Sequence, residues 1–248
     1  MPLLGLHVTV ARELARELRL PAIDADRGAY YLGATAPDIR AITRLDRERT
    51  HFFTLNEFGA QNGVHRMFEE EPGLRDASAL DVATAAFMAG YISHLEMDEA
   101  YIGEIYRPFF GTGSKFGDDL MANVMDRLLL YHLDKQERED APALDEIASA
   151  LAETSADIAV AFVGSDALRE WRGLQVEIAR RAPSFSKMMW RHLNAAGIKG
   201  EEAIAGWLEA HADELLRETI GRIGEERIRE YLADSKARAG RAMRAYLS

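Results

Sequence analysis

His94 and Asp98 are residues of the right type and spacing to do chemistry. They lie four apart inside Phe87–Tyr101, FMAGYISHLEMDEAY, an apolar run with a helical period. Four residues is about one helical turn, so imidazole and carboxylate project from the same face. Phe87, Gly90, Tyr91 and Tyr101 extend that face, while Met88, Ile92, Leu95 and Met97 make the other faces apolar. Only Ser93, Glu96 and Glu99 suit water, so the helix is expected to be mostly buried. An ionisable pair in a buried helix needs a partner, because a stranded charge there costs several kcal/mol. Two readings follow: a His–Asp pair that satisfies itself, or two ligands of a metal ion. H-x3-D recurs by chance, so the spacing alone leaves both open.

Composition narrows the choice of ligands. The chain has 248 residues, 48% hydrophobic and 29% charged, enough to bury a sizeable core as one large domain or two small ones. It has no cysteine, which excludes disulfides, thiolate metal sites and cysteine nucleophiles. A transition-metal site must therefore draw on His, Asp, Glu or backbone. A formal net charge of −11 argues against coating duplex nucleic acid, although a local metal cluster can still draw one phosphate into a pocket. No segment reaches the ~18 uninterrupted apolar residues of a membrane span. The start, MPLLGLHVTVARELARELRL, lacks the basic and apolar regions of a secretion signal, so a cytoplasmic protein is expected.

Helices must position any such site. Leu3, Leu6, Val10, Leu14 and Leu18 recur every three or four residues and predict a helix over 3–20. His7 lies in its first turns and reads, on its own, as a surface or capping residue. Leu20-Pro21 ends this helix, 22–27 reads as a loop, and 28–34 as a short apolar helical piece broken by Ala36-Pro37. Asp38 follows the proline on a turn, either as a turn carboxylate or facing inward. A polar loop from Arg40 to Thr50 leads to His51-Phe52-Phe53, an imidazole entering the core. Residues 61–71 predict a helix whose His65, without a carboxylate at ligand spacing, belongs to the surface. The central helix is predicted over 79–106, and Gly111–Lys115 lacks the full phosphate-cradling order. Residues 116–133 predict a helix offering Asp119, Asp126 and His132, and the charged run 134–140 is the best internal boundary. Helices follow at 144–163, 166–182, 184–196, 200–220 and 224–247, with breaks at Gly164, Pro183, Gly197 and Gly224. His192 and His211 read as structural or surface residues. Neither an alternating strand nor a repeat period appears.

Taken in order, His7, L-G-A-T-A-P-D ending at Asp38, T-H-F at His51 and G-Y-I-S-H-L-E-M-D with His94 and Asp98 resemble the zinc-dependent phospholipase C family. Its wider superfamily includes the single-strand-specific zinc nucleases. The resemblance covers roughly residues 1–135 and implies an all-helical fold with up to three zinc ions that hydrolyse phosphodiesters. Carried over by residue, it implies that Asp38, His51, His94 and Asp98 hold one ion and that Asp98 bridges to a second, held also by His7. Three imidazoles and two carboxylates suit Zn²⁺ or another first-row ion. A pair of ions about 3.5–4 Å apart can activate water and neutralise a leaving oxygen. This chain also departs from the family. With no secretion signal read, the processed N-terminal residue, usually Trp, that helps the relatives hold the ion shared with the first His is not expected here. Glu104 stands where the relatives place a further His, and no H-x3-[DE] follows. The remaining metal site is therefore lost, or rebuilt from Glu104, Asp126 and His132.

The expectation is an all-α, multi-helix single domain, with 1–135 as the metal-binding helical core and 144–248 as C-terminal helices packed on the same domain. The expected function is that of a metal-dependent, phospholipase C-like hydrolase of a small phosphoester or lipid headgroup. It would use one or two Zn²⁺ and a metal-bound hydroxide as nucleophile, with Asp38 orienting water and Arg40 contacting phosphate. Two readings of other classes compete. One is a non-catalytic helical protein stabilised by a coordinated ion. The other is a metal-free helical module that binds a partner, or a second copy of the chain, through its C-terminal helices.

Overall fold

The computed structural model describes residues 4–55, 61–114, 116–117, 120–155, 157–158, 160–181, 184–185, 187–190 and 201–248, with backbone alone at Leu4 and 201–203. Every regular element among them is a helix. The first, α1 (Leu4–Leu18), buries Leu6, Val10 and Leu14 as its spacing predicts. Its Leu6 N–H donates to Asp134 Oδ1 at 2.9 Å, so a carboxylate from far along the chain satisfies a donor of its first turn. Instead of the expected loop, α2 (Pro21–Ala25) is a helical turn, begun by a proline where no donor is needed. Asp26 then caps α3 (Arg27–Thr35) by accepting from Ala29 N–H at 2.8 Å. A 3₁₀ turn, Ala36–Ile39, carries Asp38.

Within the expected polar loop lie two single turns, α4 (Arg40–Thr43) and α5 (Glu48–His51), each stopped by a left-handed residue, Arg44 at φ 58° and Phe52 at φ 57°. After α6 (Gly63–Glu70) comes α7 (Val82–Tyr101), started by Asp81, whose carboxylate accepts from Thr84 N–H at 2.9 Å. The central helix does not run on to 106 as an α-helix. It passes into a π turn, Ile102–Tyr106, and a last turn, α8 (Arg107–Phe109). Then α9 (Leu120–Glu137) continues past the expected end, because Asp134 is buried against α1 and pairs with Arg138 at 3.6 Å. The charged run is thus no boundary at its start.

Thr154 ends α10 (Ala141–Glu153) well before 163, its hydroxyl donating to Asp26 Oδ1 at 2.9 Å. Gly164 precedes α11 (Ser165–Ala179), and Gly224, at φ 98° in a conformation that favours glycine, separates α12 (Glu201–Ile223) from α13 (Glu225–Leu247). Asp119, His192, Pro183, Gly197 and most of the helix expected over 184–196 lie outside the described residues.

The core is arranged around α7, which is buried on nearly every side between α3 and α13. Two glycines set its distance from α3. A Cβ on Gly33 would stand 1.9 Å from the Phe87 carbonyl oxygen, and one on Gly90 would stand 2.0 Å from that of Tyr30. The backbones touch there, which brings the C-terminal carbonyls of α3 onto the His94 face. On the other side α13 buries Ile228, Tyr231, Ala239 and Met243. A smaller apolar cluster joins Val124 and Leu128 of α9 to Phe185, Met189 and Leu208. Among the described residues no helix is long and apolar enough to cross a membrane.

Candidate metal centre

Five side chains from four parts of the chain converge beside α7. His94 and Asp98 come from its inner face, His7 from the second turn of α1, Asp38 from the 3₁₀ turn and His51 from the end of α5. His7, His51, His94 and Asp98 are each at most 1% exposed, so His7 is not the surface residue its position suggests. Asp38 is the solvent-facing member, with 18% of its side chain accessible.

Hydrogen bonds from the rear orient two of the imidazoles. His94 Nδ1 lies 2.8 Å from the Ala34 carbonyl oxygen, which can only accept, so Nδ1 carries the proton and Nε2 presents a lone pair. The Thr50 hydroxyl donates to the Arg47 carbonyl at 3.3 Å and meets His51 Nδ1 at 3.1 Å, leaving it to accept the His51 proton. His51 then also turns Nε2 inward. Tyr91 donates to the Thr50 carbonyl and fixes this turn against α7. The left-handed Phe52 directly after His51 reverses the chain, so that both phenylalanines enter the core behind the imidazole. His7 stacks on His94 with ring centroids 3.7 Å apart and planes within 10°.

The spacing of the inward atoms matches a coordination shell. His7 Nε2 is 3.3 Å from Asp98 Oδ1, and His51 Nε2 is 3.3 Å from Asp98 Oδ2 and 3.6 Å from Asp38 Oδ1. His94 Nε2 lies 3.9 Å from Asp98 Oδ2. Neighbouring ligands on a tetrahedral ion with bonds of about 2.1 Å stand about 3.4 Å apart. His7 Nε2, His51 Nε2, His94 Nε2 and Asp98 Oδ1 are all buried without a hydrogen-bond partner. Buried polar atoms are ordinarily satisfied, so four orphans facing one another point to an absent ligand. Among the described residues, His7–His94–Asp98 and Asp38–His51–His94 are the groups of three or more His, Asp or Glu whose ligand atoms lie within 4.8 Å of one another. Three imidazoles and two carboxylates fit a first-row divalent ion.

Burial, reinforced by His7, pushes His94 down to about 3, which keeps its Nε2 unprotonated at neutral pH. Burial alone would raise Asp38, but the facing His51 and the nearby His94 outweigh it and hold the carboxyl at about 2. Asp98 is likewise held well below the ordinary carboxylate range: burial opposes this, and His51 and His7 override it. Both carboxylates are therefore anionic. Arg47, which the sequence reading passed over inside its polar loop, supplies a counter-charge by donating Nη2 to Asp98 Oδ2 at 3.0 Å. Its spacing of four from His51 was the signal that could have found it.

The other sequence-predicted ligands do not join this group. Glu104 sits on the π turn, where Ile102 and Ile105 take the inward positions, and it faces Asp234, Arg238 and Arg227 of α13. Asp126 is buried but accepts a hydrogen bond from the Tyr101 hydroxyl at 2.5 Å. His132 is half-buried, with burial and then Lys135 lowering its pKa, and belongs to neither group. A third metal position built from these three residues has no support in the geometry. Arg40 is exposed and donates Nε to the Leu45 carbonyl at 3.4 Å. His65 does have a carboxylate one turn away, Glu69 at 3.6 Å, but both are exposed. His211 stacks on Trp207, centroids 4.2 Å apart, away from the centre.

Geometry and charge thus define an all-α protein with a candidate His₃Asp₂ metal centre. No protein-family model, curated protein or solved structure matches the chain.

Proposed function

We propose that this protein is a metal-dependent hydrolase of phosphoesters, similar to the zinc-dependent phospholipases C. In this reading Asp38, His51, His94 and Asp98 would hold one Zn²⁺ or similar ion, and His7 and Asp98 would hold a second. The observation that carries it is the set of four buried ligand atoms without partners, converging at coordination-shell distances. The order of the motifs adds the phosphoester chemistry.

When bound, the ion supplies Lewis acidity for the activation of water and the neutralisation of charge on a phosphoryl oxygen. The chain's own groups do the rest. Asp98 turns Oδ1 to His7 and Oδ2 to His51 and His94, so one carboxylate spans both halves of the centre. Asp38, ionised and partly open to solvent, accepts a hydrogen bond from an incoming water and aligns it. The Ala34 carbonyl and the Thr50 hydroxyl keep His94 and His51 from turning away. Arg40, exposed two residues from Asp38, offers donors to a phosphate at the rim.

A second reading is favoured by the burial of His7, His51, His94 and Asp98: a structural ion that replaces a salt-bridge network. Metal analysis of the purified protein, repeated on His94→Ala and Asp98→Ala, tests the shared premise. About one or two equivalents of transition metal, lost in both variants, support the centre, and no metal even after zinc reloading rejects it. Turnover of bis(p-nitrophenyl) phosphate by the loaded wild type, abolished in both variants, separates hydrolase from structural site.

A further inference from the structure

Arg47 stands where the centre meets solvent. Besides its bond to Asp98, it donates Nη1 to the Phe53 carbonyl at 3.1 Å and lies 4.3 Å from the centroid of the Phe53 ring. Only 10% of its side chain is accessible. That outward edge borders an open polar cleft of ≈ 450 Å³ formed with Asp46, Glu48, Arg49, Arg66 and Glu70. Among the described residues, no lysine or other arginine comes within ion-pairing distance of Asp98 or Asp38.

The oxygen that Arg47 binds decides its role. A neutral donor orients a ligating carboxylate without changing the charge of the site. Arg47 instead brings a full positive charge to Oδ2, the oxygen that also faces His51 Nε2 at 3.3 Å and His94 Nε2 at 3.9 Å. We infer that Arg47 is an exchangeable counter-cation of the centre: it neutralises Asp98 when no ion is bound, and it opposes a divalent ion at the same oxygen. This inference rests on the metal-centre reading above. Two cations on one carboxylate are anticooperative, because each loses part of its benefit when the other is present and they repel at close range. Arg47 therefore sets the affinity of the centre downward and holds the metal-free fold together. Loading weakens its hold on Asp98.

The test is zinc affinity, by competition with a chromogenic chelator, on stripped wild type, Arg47→Gln and Arg47→Lys. Arg47→Gln is expected to bind zinc on the order of tenfold tighter or more than wild type. Arg47→Lys, which keeps the charge without the planar fork, is expected to fall between them. Stripped Arg47→Gln should also melt below stripped wild type, with zinc closing the gap. Equal or weaker affinity in both variants overturns the inference, since a positioning partner loses about 10–100-fold on removal. Should Arg47→Gln fold only with zinc present, the ion is replacing the missing cation as inferred, and Arg47→Lys supplies the affinity order. If wild type and both variants all fail to bind zinc, the metal-centre reading falls as well. Zinc bound by wild type without the stated order defeats the inference about Arg47 alone.

Discussion

Asp98→Asn is the substitution that separates a buried electrostatic centre from an ordinary polar core. Asparagine keeps the size and one carbonyl oxygen, so the change removes charge and little else. Asp98 is fully buried and its Arg47 partner is 10% exposed. Removing one member of such a pair strands the other, at a cost of about 3–5 kcal/mol. For a chain of 248 residues, about 1 kcal/mol corresponds to roughly 2–4 °C, so the metal-free variant should melt roughly 6–20 °C below wild type. Zinc acts separately. At a hundredfold excess over its Kd, a ligand that binds only the folded state adds about 2.7 kcal/mol, or roughly 5–11 °C, to wild type. The variant, having lost the charge and one of the two oxygens that serve the halves of the centre, should show little or none of this. Circular dichroism melts of both proteins, chelator-stripped and zinc-loaded, measure the two effects independently. A stripped variant within about 2 °C of wild type, with a zinc shift of the same size, would refute both the pairing and the ligand assignment.

Acid should weaken the metal-free protein through His94. Its folded pKa is about 3, below the ordinary ~6.5, so between these values the unfolded chain binds the extra proton and stability falls as pH drops. The slope is about 1.4 kcal/mol per pH unit, and denaturant melts from pH 7 to 4 on stripped His94→Gln should lack that component; an unchanged slope removes His94 as its source. Thr50→Val takes away the acceptor for His51 Nδ1 and should weaken zinc binding about 10–100-fold, read by chelator competition, whereas unaltered affinity means that His51 is oriented by something else. Gly90→Ala places a methyl group 2.0 Å from the Tyr30 carbonyl oxygen, so α3 and α7 must separate. A loss of several kcal/mol together with zinc is expected, and a variant with wild-type melting and metal content would show that the close approach is not needed. Glu104→Gln and His132→Gln should retain the full metal content, and a loss of one equivalent in either would return that residue to the centre.

The central helix was legible because it combines two simple signals, an apolar composition on all faces and a ligand-type pair one turn apart. The L-G-A-T-A-P-D stretch could be matched as a motif, but its physical meaning needed three dimensions. Gly33 is there to let α7 approach, Ala34 to lend a carbonyl to His94, and Pro37 to sit in the 3₁₀ turn that presents Asp38. His7 illustrates the opposite limit. Nothing local distinguishes a surface histidine from one buried against His94 and Asp98, which belong to a helix far along the chain. Glu104 failed for a related reason: its face depends on a π turn that the residue pattern does not announce.

Arg47 shows why a polar composition is a poor guide to exposure near a charged centre. The stretch from Arg40 to Thr50 reads as loop because its side chains prefer water, and that reasoning assumes water is the best partner available. Beside an anionic Asp98 it is not. A guanidinium at 3.0 Å from a buried carboxylate, backed by the Phe53 ring and carbonyl, exchanges hydration for directed contacts. Arg47 also begins the helical turn 48–51 that sets His51 over the centre. The segment is therefore held by the charge it serves, with Arg47 and His51 both turned to the carboxylates of α7 and the 3₁₀ turn.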